Sequence, residues 1–353
     1  MSETAQVSIR VHDGIGHLTL NRPEALNALT HSMVLLLTEA LTAWRDDPEV
    51  SLVVLDGAGD RGLCAGGDVR ALYDNAVSGD TGASLAFLGD EYRLNAMIAE
   101  YPKPFVAIMD GVTMGGGIGL AGHAGIRVVT ERSRLAMPET RIGFCPDVGG
   151  TWLLARAPGE LGTYLALSSA TMNGSDALAL GFADYFVPSE LLPHLIQAFA
   201  ERADPGSPSE IVLLFDETPE LSALAARRGW IDACFSADTV AEIIARLDDY
   251  AATHASDEVR AAADALVALS PTAVTVTLAA LRQARELPGL RDALQLEYRA
   301  CGWLLDQPDL REGIRAQIID KDRSPRWNPA RLDLLAPDLA AVALQHPVAA
   351  PLW

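Results

Sequence analysis

Residues 102–120, PKPFVAIMDGVTMGGGIGL, contain the pattern that decides the fold. The apolar run PFVAIMDG is typical of a short strand that is buried on both faces of a parallel sheet. Three consecutive glycines follow, and the chain then continues in a helical pattern through Leu120 and His123. The segment therefore predicts a strand, a tight glycine-rich turn and a helix.

The same cycle of strand and helix occurs on both sides of this segment. The stretch VSIRVHDGIGHLTL predicts a hairpin that turns at Asp13-Gly14, and HSMVLLLTEALTAW predicts a helix capped by Thr30 and closed by Pro48. The runs SLVVLDG and IRVVTE predict further strands. This order predicts an α/β fold with parallel pairing, and it leaves a doubly wound sheet, a barrel and a spiral open.

Helical patterns dominate from about Gly159 to about Gln317. The stretch ADPGSPSE, residues 203–210, has the composition of a linker. We therefore expect a core domain over residues 1–202 and a helical C-terminal region over residues 203–353 that packs on the core. The tail after Trp327 is rich in Ala, Pro and Leu and shows no recognisable chemistry.

The composition is that of a globular protein, with 353 residues of which 49% are hydrophobic and 21% charged. The net charge of -20 disfavours a nucleic-acid partner, which needs a concentrated Lys/Arg surface. No apolar run reaches the roughly 18 residues of a membrane span, so we expect a cytoplasmic protein without a membrane partner. The four cysteines form no CxxC pair, which favours buried, reduced thiols over a zinc site or disulfides.

Two small-residue loops could bind a developing negative charge. The first is Cys64-Ala65-Gly66-Gly67-Asp68, which follows a buried strand, and the second is Gly115-Gly116-Gly117. Backbone N–H groups in such loops can donate to an oxyanion, although each loop is equally typical of a plain strand-to-helix turn. The glycine spacing fits neither a dinucleotide fingerprint nor a Walker motif.

Two acids, Glu139 and Asp147, occupy nearby loop positions among apolar and glycine residues. Such a pair can have its pKa values pushed apart, so that one carboxylate acts as a base while the other binds or donates. Alternatively, Asp147 caps the helix GGTWLLAR and Glu139 lies on the surface. Together with the two loops, the pair predicts a site that polarises a carbonyl and delivers water or a proton to it. A serine esterase is disfavoured because GxSxG is absent.

Several separated motifs resemble the enoyl-CoA hydratase/isomerase, or crotonase, family. They are NRP at 21–23 with NAL at 27–29, CAGGD at 64–68, the stretch 102–120, and AMPETRIGFCPDVGG at 136–150. The resemblance runs in order through about residues 7–190. It implies a spiral of ββα turns that binds a coenzyme A thioester, followed here by the C-terminal helical region. It also implies an oxyanion hole formed by the N–H groups of Gly67 and Gly116.

The acids distinguish the branches of this family. Its hydratases hold water with two glutamates, and the first of those positions is Gly119 here, whereas the second is retained as Glu139. Asp147 stands where hydratases usually carry glycine. This pattern is similar to the 3-hydroxyisobutyryl-CoA hydrolase branch, in which Glu91 matches a substrate-contacting glutamate. The alternative for Glu91 is an exposed helix residue paired with an arginine.

The resemblance to that branch implies hydrolysis of 3-hydroxyisobutyryl-CoA to 3-hydroxyisobutyrate and CoA, a step of valine catabolism. The thioester carbonyl would lie between the two oxyanion-hole N–H groups. Glu139 would either activate water or attack to form a mixed anhydride, and Asp147 would bind the acyl 3-hydroxyl or assist proton transfer. No metal or cofactor is required, because coenzyme A is part of the substrate.

Further substrate contacts are expected at Arg22, Ala65 and Asp68. Arg22 would bind the phosphates of coenzyme A, or it is a turn residue before Pro23. Two rival functions stay open: an enoyl-CoA hydratase or isomerase that uses Glu139 alone, and a non-catalytic relative that binds acyl-CoA or RNA. The expected partner is an acyl-CoA molecule, and self-association into a homo-oligomer is left open.

Overall fold

The computed structural model describes residues 5–201, 207–348 and 350–353. In chain order, the strands of these residues are β1 (Val7–His12), β2 (Ile15–Leu20), β3 (Leu52–Gly57), β4 (Phe105–Met109), β5 (Val112–Met114), β6 (Ile126–Val129), β7 (Arg134–Ala136) and β8 (Tyr185–Phe186). The helices are α1 (His31–Trp44), α2 (Val69–Ser78), α3 (Thr81–Ala99), α4 (Gly116–Ala121), α5 (Gly150–Arg156), α6 (Leu161–Ser168), α7 (Gly174–Ala179), α8 (Leu192–Glu201), α9 (Pro208–Leu213), α10 (Ala223–Ala226), α11 (Arg228–Phe235), α12 (Val240–His254), α13 (Asp257–Val267), α14 (Pro271–Ala284), α15 (Leu290–Leu305), α16 (Pro308–Ile314) and α17 (Leu339–Leu344).

Backbone contacts group the chain into two compact units. The first unit takes its described residues from Met1–Gly67, Asp90–Ala136 and Met172–Ser222, and the second from Asp68–Gly89, Met137–Thr171 and Ala223–Trp353. The predicted division of the chain at residue 203 falls among residues 202–206, which lie outside the described part. It stays a prediction.

The first unit is built on a six-stranded sheet in the order β1-β2-β3-β4-β6-β8. β1 and β2 form the predicted hairpin, in which Asp13 and Gly14 have φ angles of 49° and 80°. Such left-handed turns match the twist of paired strands. The remaining neighbours pair in parallel, so the predicted α/β class is confirmed.

Apolar side chains on one face of this sheet form the core of the first unit. Leu52 and Val54 of β3 pack with Val106 of β4 and Val128 of β6, against Leu195 of α8. The predicted helix after Thr30 is confirmed as α1, and the Thr30 side chain accepts a hydrogen bond from the Met33 N–H over 3.2 Å. α1 ends at Trp44, before Pro48.

Several short elements were not predicted or differ from the prediction. The sequence patterns assigned no element to the stretch that forms α2, and the strands β5 and β7 were not expected. Only Leu72 is buried in α2, so the helix leaves almost no apolar pattern in the sequence. β5 and β7 have three residues each, too few for a period of two to be recognised. α4 ends at Ala121 rather than continuing through His123.

The second unit is helical, as expected for the C-terminal region. Tyr164 of α6 packs edge-on against Trp230 and Phe235 of α11, with ring centroids 5.6 and 5.4 Å apart. The half-buried guanidinium groups of Arg282 and Arg285 both bond the carboxylate of Glu160 over 2.8 Å.

Among the described residues, no single helix has the length and apolar character to cross a membrane. The bent pair Asp257–Val267 and Pro271–Ala284, which meet at 108°, passes that test only when its two helices are taken together.

Candidate active site

The predicted site residues fall into two groups, one in each unit. The first unit contains Arg22, Ala65, Gly67, Glu91 and Gly116, and the second contains Asp68, Glu139 and Asp147.

The CAGGD loop of the first unit is held by the NAL segment. The Ala65 N–H donates to the Leu26 carbonyl over 2.9 Å, and the Leu29 N–H donates to the Gly66 carbonyl over 2.8 Å. Gly66 has a φ angle of 108°, which side chains rarely tolerate. The loop is therefore a rigid, glycine-dependent turn.

Asn27 links the NRP and NAL motifs to the chain beside the CAGGD loop. It is 1% exposed, and its amide donates to the carbonyls of Ala58 and Gly62, both over 3.1 Å. Its oxygen accepts from the Arg22 N–H over 2.9 Å. A buried amide with three partners ties the NRP turn to the chain that leads into the loop.

The Arg22 side chain takes part in the same turn. Its guanidinium donates to the Ala28 carbonyl over 2.6 Å, which fits the alternative of a turn residue. A role of Arg22 toward coenzyme A stays a prediction.

The two predicted oxyanion-hole residues lie close together in the first unit. A β-carbon on Gly116 would come within 3.3 Å of the Gly67 nitrogen, and one on Gly66 within 3.6 Å of the Gly116 nitrogen. No hydrogen bond from either the Gly67 or the Gly116 N–H occurs in the part of the chain that the structure describes. Two adjacent N–H donors that the fold does not use can bind one oxygen that gains negative charge.

Glu91 lies against Gly116 and is 2% exposed. Its Oε1 occupies the space that a β-carbon of Gly116 would need, so a side chain at this position would force the Glu91 carboxylate to move. The alternative of an exposed helix residue is wrong. Burial, to which the Glu91 carboxylate adds, raises the pKa of the nearby Cys64 thiol to about 12. Cys64 is therefore an inert core residue rather than a nucleophile.

Glu139 and Asp147 are both buried in the second unit, each 7% exposed. Glu139 begins a short 3-10 helix, Glu139–Ile142. α5 begins at Gly150, with Gly149 as its N-cap and no side-chain cap. The alternatives of a surface Glu139 and a capping Asp147 are therefore wrong.

Cys145 shows that these acids share one neighbourhood. A hydrogen bond to Cys301 lowers the pKa of the Cys145 thiol, but burial and the carboxylates of Asp147, Glu297 and Glu139 raise it, and the net shift is upward. The sulfurs of Cys145 and Cys301 are 3.6 Å apart. All four cysteines are free and buried, as predicted.

The backbone after Asp147 makes an unusual turn. Val148 and Gly149 have φ angles of 53° and 78°. A β-branched residue in the left-handed region costs about 1–3 kcal/mol and persists only where its surroundings enforce it. The Gly150 N–H donates to the Asp147 carbonyl over 2.6 Å and closes the turn.

Sequence reasoning missed Glu297, which holds this turn. The Gly149 N–H donates to Glu297 Oε2 over 2.7 Å, and the N–H and hydroxyl of Thr151 donate to Oε1 over 2.9 and 2.5 Å. Glu297 lies on the apolar face of α15, between the buried residues Leu294 and Cys301. An acid on the buried face of an amphipathic helix is a signal that could have identified it.

Asp68 and Ala65 are partly exposed. Asp68 stands at the N-cap position of α2, where its side chain makes no capping bond. Their contacts to substrate stay predictions. A separate cavity of about 480 Å³ is lined by Asp56, Asp110 and Arg132 among others, and it contains none of the predicted site residues.

Three curated relatives carry the same activity in their names. The 3-hydroxyisobutyryl-CoA hydrolase of Gallus gallus is 39% identical over 337 residues, which cover 93% of this chain and 86% of the relative. Its name places it in the mitochondrion, as do those of the relatives from Danio rerio and Homo sapiens. The expectation of a cytoplasmic protein is therefore wrong, and these names point to the mitochondrion. Composition could not reveal this, because folded proteins of both compartments bury and expose the same kinds of residue.

Two solved structures share the fold over almost the whole chain. A carnitinyl-CoA dehydratase from Mycobacterium thermoresistibile is 45% identical with a TM-score of 0.92, and the match covers 99% of each chain. An enoyl-CoA hydratase from Rhodobacter sphaeroides 2.4.1 is 44% identical with a TM-score of 0.89, and covers 97% of this chain and 98% of that chain. They confirm the crotonase-like fold. The family model described as enoyl-CoA hydratase/isomerase matches residues 15–343. By motif, fold and family model, the chain belongs to the enoyl-CoA hydratase/isomerase family.

Proposed function

We propose that this chain hydrolyses a short 3-hydroxyacyl-CoA thioester, with 3-hydroxyisobutyryl-CoA as its substrate. The observation that carries the proposal is the buried pair Glu139 and Asp147, combined with glycine at position 119. The names of the Gallus gallus and Danio rerio relatives support the same substrate. Membership of the family implies the acyl-CoA ligand.

Glycine at position 119 disfavours simple hydration in this proposal. Gly119 is buried in α4 and has no side chain that could orient water. In this proposal Glu139 is therefore the acid that drives the reaction, and Asp147 recognises the substrate. An acid that is buried among apolar residues suits such specific work better than a solvated one.

The carbonyl oxygen of the thioester is bound by the N–H groups of Gly67 and Gly116. One such donor typically contributes about 3 kcal/mol to the stability of an oxyanion-like transition state. Glu139 either removes a proton from the attacking water or attacks the carbonyl carbon itself and forms a mixed anhydride. In both routes the C–S bond breaks and the CoA sulfur leaves as a thiolate, which then takes up a proton.

Asp147 accepts a hydrogen bond from the 3-hydroxyl of the acyl group or assists the proton transfer. Glu91, beside Gly116, contacts the substrate in the same proposal. Arg22, Ala65 and Asp68 are assigned to coenzyme A. The scheme uses no metal and no cofactor, and self-association stays a prediction.

The alternative is an enoyl-CoA hydratase or isomerase that uses Glu139 alone. The names of the two solved structures favour it, since both describe addition or removal of water. Two assays separate the alternatives: thiol release from 3-hydroxyisobutyryl-CoA, followed with a thiol reagent, and loss of the enoyl absorbance of crotonyl-CoA. We expect thiol release to dominate in kcat/KM. If only the enoyl absorbance changes, the hydrolase proposal fails.

Oxygen-18 water distinguishes the two routes of Glu139. Under single turnover, a mixed anhydride that water opens at the enzyme acyl carbon leaves label in the Glu139 carboxylate. Peptide mass spectrometry of the region around Glu139 detects that label. If the label appears only in the released acid, an anhydride that water opens at the Glu139 carbon is contradicted.

A further inference from the structure

Glu297 is a fully buried acid in the middle of α15, with 0% exposure. Carboxylates are almost never fully buried unless they are paired. No ion pair to Glu297 occurs in the described part of the chain, and its partners are the two N–H groups and the hydroxyl of Gly149 and Thr151. The acid therefore bonds one short stretch of backbone, at the start of α5.

That stretch of backbone follows Asp147 directly. Val148 and Gly149 take left-handed φ angles of 53° and 78°, and α5 supplies no side-chain cap of its own. A turn of this kind has to be enforced by its surroundings. The three hydrogen bonds of Glu297 enforce it from a helix about 150 residues further along the chain.

We propose that Glu297 is a positioning residue for Asp147, which holds the backbone from Val148 to Thr151 and so fixes where the Asp147 carboxylate meets the acyl 3-hydroxyl. The inference rests on the proposed function, in which Asp147 recognises that hydroxyl. Glu297 itself touches no substrate in this scheme.

The charges of the two acids indicate that Glu297 positions Asp147 through the backbone. Burial raises the pKa of Glu297 to about 8; the hydrogen bonds from Thr151 and Gly149 oppose this shift, and the Asp147 charge adds to it. The Asp147 charge disfavours the ionised form of Glu297, so Glu297 does not hold Asp147 by ionic attraction. In this proposal Glu297 acts on Asp147 through the bonded turn that joins them.

The test is the selectivity between 3-hydroxyisobutyryl-CoA and isobutyryl-CoA, which lacks the hydroxyl. In Glu297→Gln an amide nitrogen replaces one oxygen and cannot accept from an N–H group, so one anchor is lost. We expect the ratio of kcat/KM for the two substrates to fall about ten- to a hundredfold. Thiol release measures both rates. A purely structural role would lower both rates together and leave the ratio unchanged.

Glu160→Gln is the matched control. Glu160 is a buried acid of the same unit, bonded by Arg282 and Arg285, and it makes no contact with the turn among its described hydrogen bonds. We expect it to lower stability and to leave the substrate ratio unchanged. Thr151→Val is a second test variant, which removes only the hydroxyl bond to Glu297. It should shift the ratio in the same direction by a smaller factor.

The background variant Asp147→Asn completes the design. If Glu297 acts through Asp147, Glu297→Gln causes no further loss of selectivity in that background. Wild-type selectivity in Glu297→Gln and Thr151→Val would overturn the inference while the proposed function stands. Absence of thiol release by the wild-type protein would overturn the proposed function, and the inference with it.

Discussion

At the residue scale, several acids of the chain are buried. Glu91, Glu139 and Asp147 are each less than a tenth exposed. The sequence predicted these three because each lies in a recognisable motif. It did not predict Glu297, because the N–H groups that explain its burial lie about 150 residues away along the chain. Contacts of that kind depend on the fold, and they produce no recognisable pattern of residues in the local sequence.

The variant Glu139→Gln tests the proposed acid. The amide preserves the shape of the side chain but neither deprotonates water nor attacks a carbonyl. We expect kcat to fall by about 10²- to 10⁴-fold while acyl-CoA binding persists. Steady-state kinetics and calorimetric titration measure the two quantities. Glu49→Gln, at an exposed position, is the control, and unchanged turnover in Glu139→Gln would remove Glu139 from its role.

The variant Gly116→Ala tests the oxyanion hole. The added β-carbon would collide with Glu91 Oε1 and displace the N–H group beside it. We expect kcat/KM for thiol release to fall by about 10²-fold or more. In Gly125→Ala the added carbon meets open space, so this control should keep wild-type kinetics. Equal rates for the two variants would show that the Gly116 N–H does not bind the carbonyl.

At the element scale, the turn between Asp147 and α5 depends on a distant helix. The helices α1 and α15 show what sequence patterns reveal at this scale. α1 has an N-cap residue and buried positions at helical spacing, so its start was predictable. The apolar face of α15 was equally visible in the sequence. The turn that this helix anchors was not, because Val148 is β-branched and such residues rarely take a positive φ angle.

The burial of Glu297 makes stability depend on pH. Its pKa is raised from 4.5 to about 8, mainly by burial. Between these values the folded protein holds a proton that the unfolded chain has released, so the contribution of Glu297 to stability falls as pH rises through this window and is constant below it. Glu297→Gln should remove up to about 1.4 kcal/mol per pH unit of this slope.

Denaturant unfolding at several pH values between about 4.5 and 8 measures the slope for both proteins. Glu49→Gln, which changes an exposed acid, should keep the wild-type slope. If the curves of wild type and Glu297→Gln run parallel, Glu297 titrates in the folded protein as it does in the unfolded chain.

At the scale of the whole molecule, ordered motifs identified the family and its fold, because each marks a glycine, an asparagine or an acid that the backbone geometry demands. Asn27 and Gly66 are examples, with a buried amide and a φ angle of 108°. The composition identified neither the family nor the fold, and the expectation of a cytoplasmic protein was wrong. The resemblance implies that the chain differs from the hydratases of its family at positions 119 and 147, so the proposed reaction depends on few residues within a shared fold.

The most direct test of the account is the product that the wild-type protein forms from 3-hydroxyisobutyryl-CoA, identified by mass spectrometry. Hydrolysis gives 3-hydroxyisobutyrate and free CoA, whereas removal of water gives the unsaturated methacrylyl-CoA with its thioester intact. We expect the free acid and CoA in equal amounts. Formation of methacrylyl-CoA without release of thiol would contradict the proposed hydrolysis.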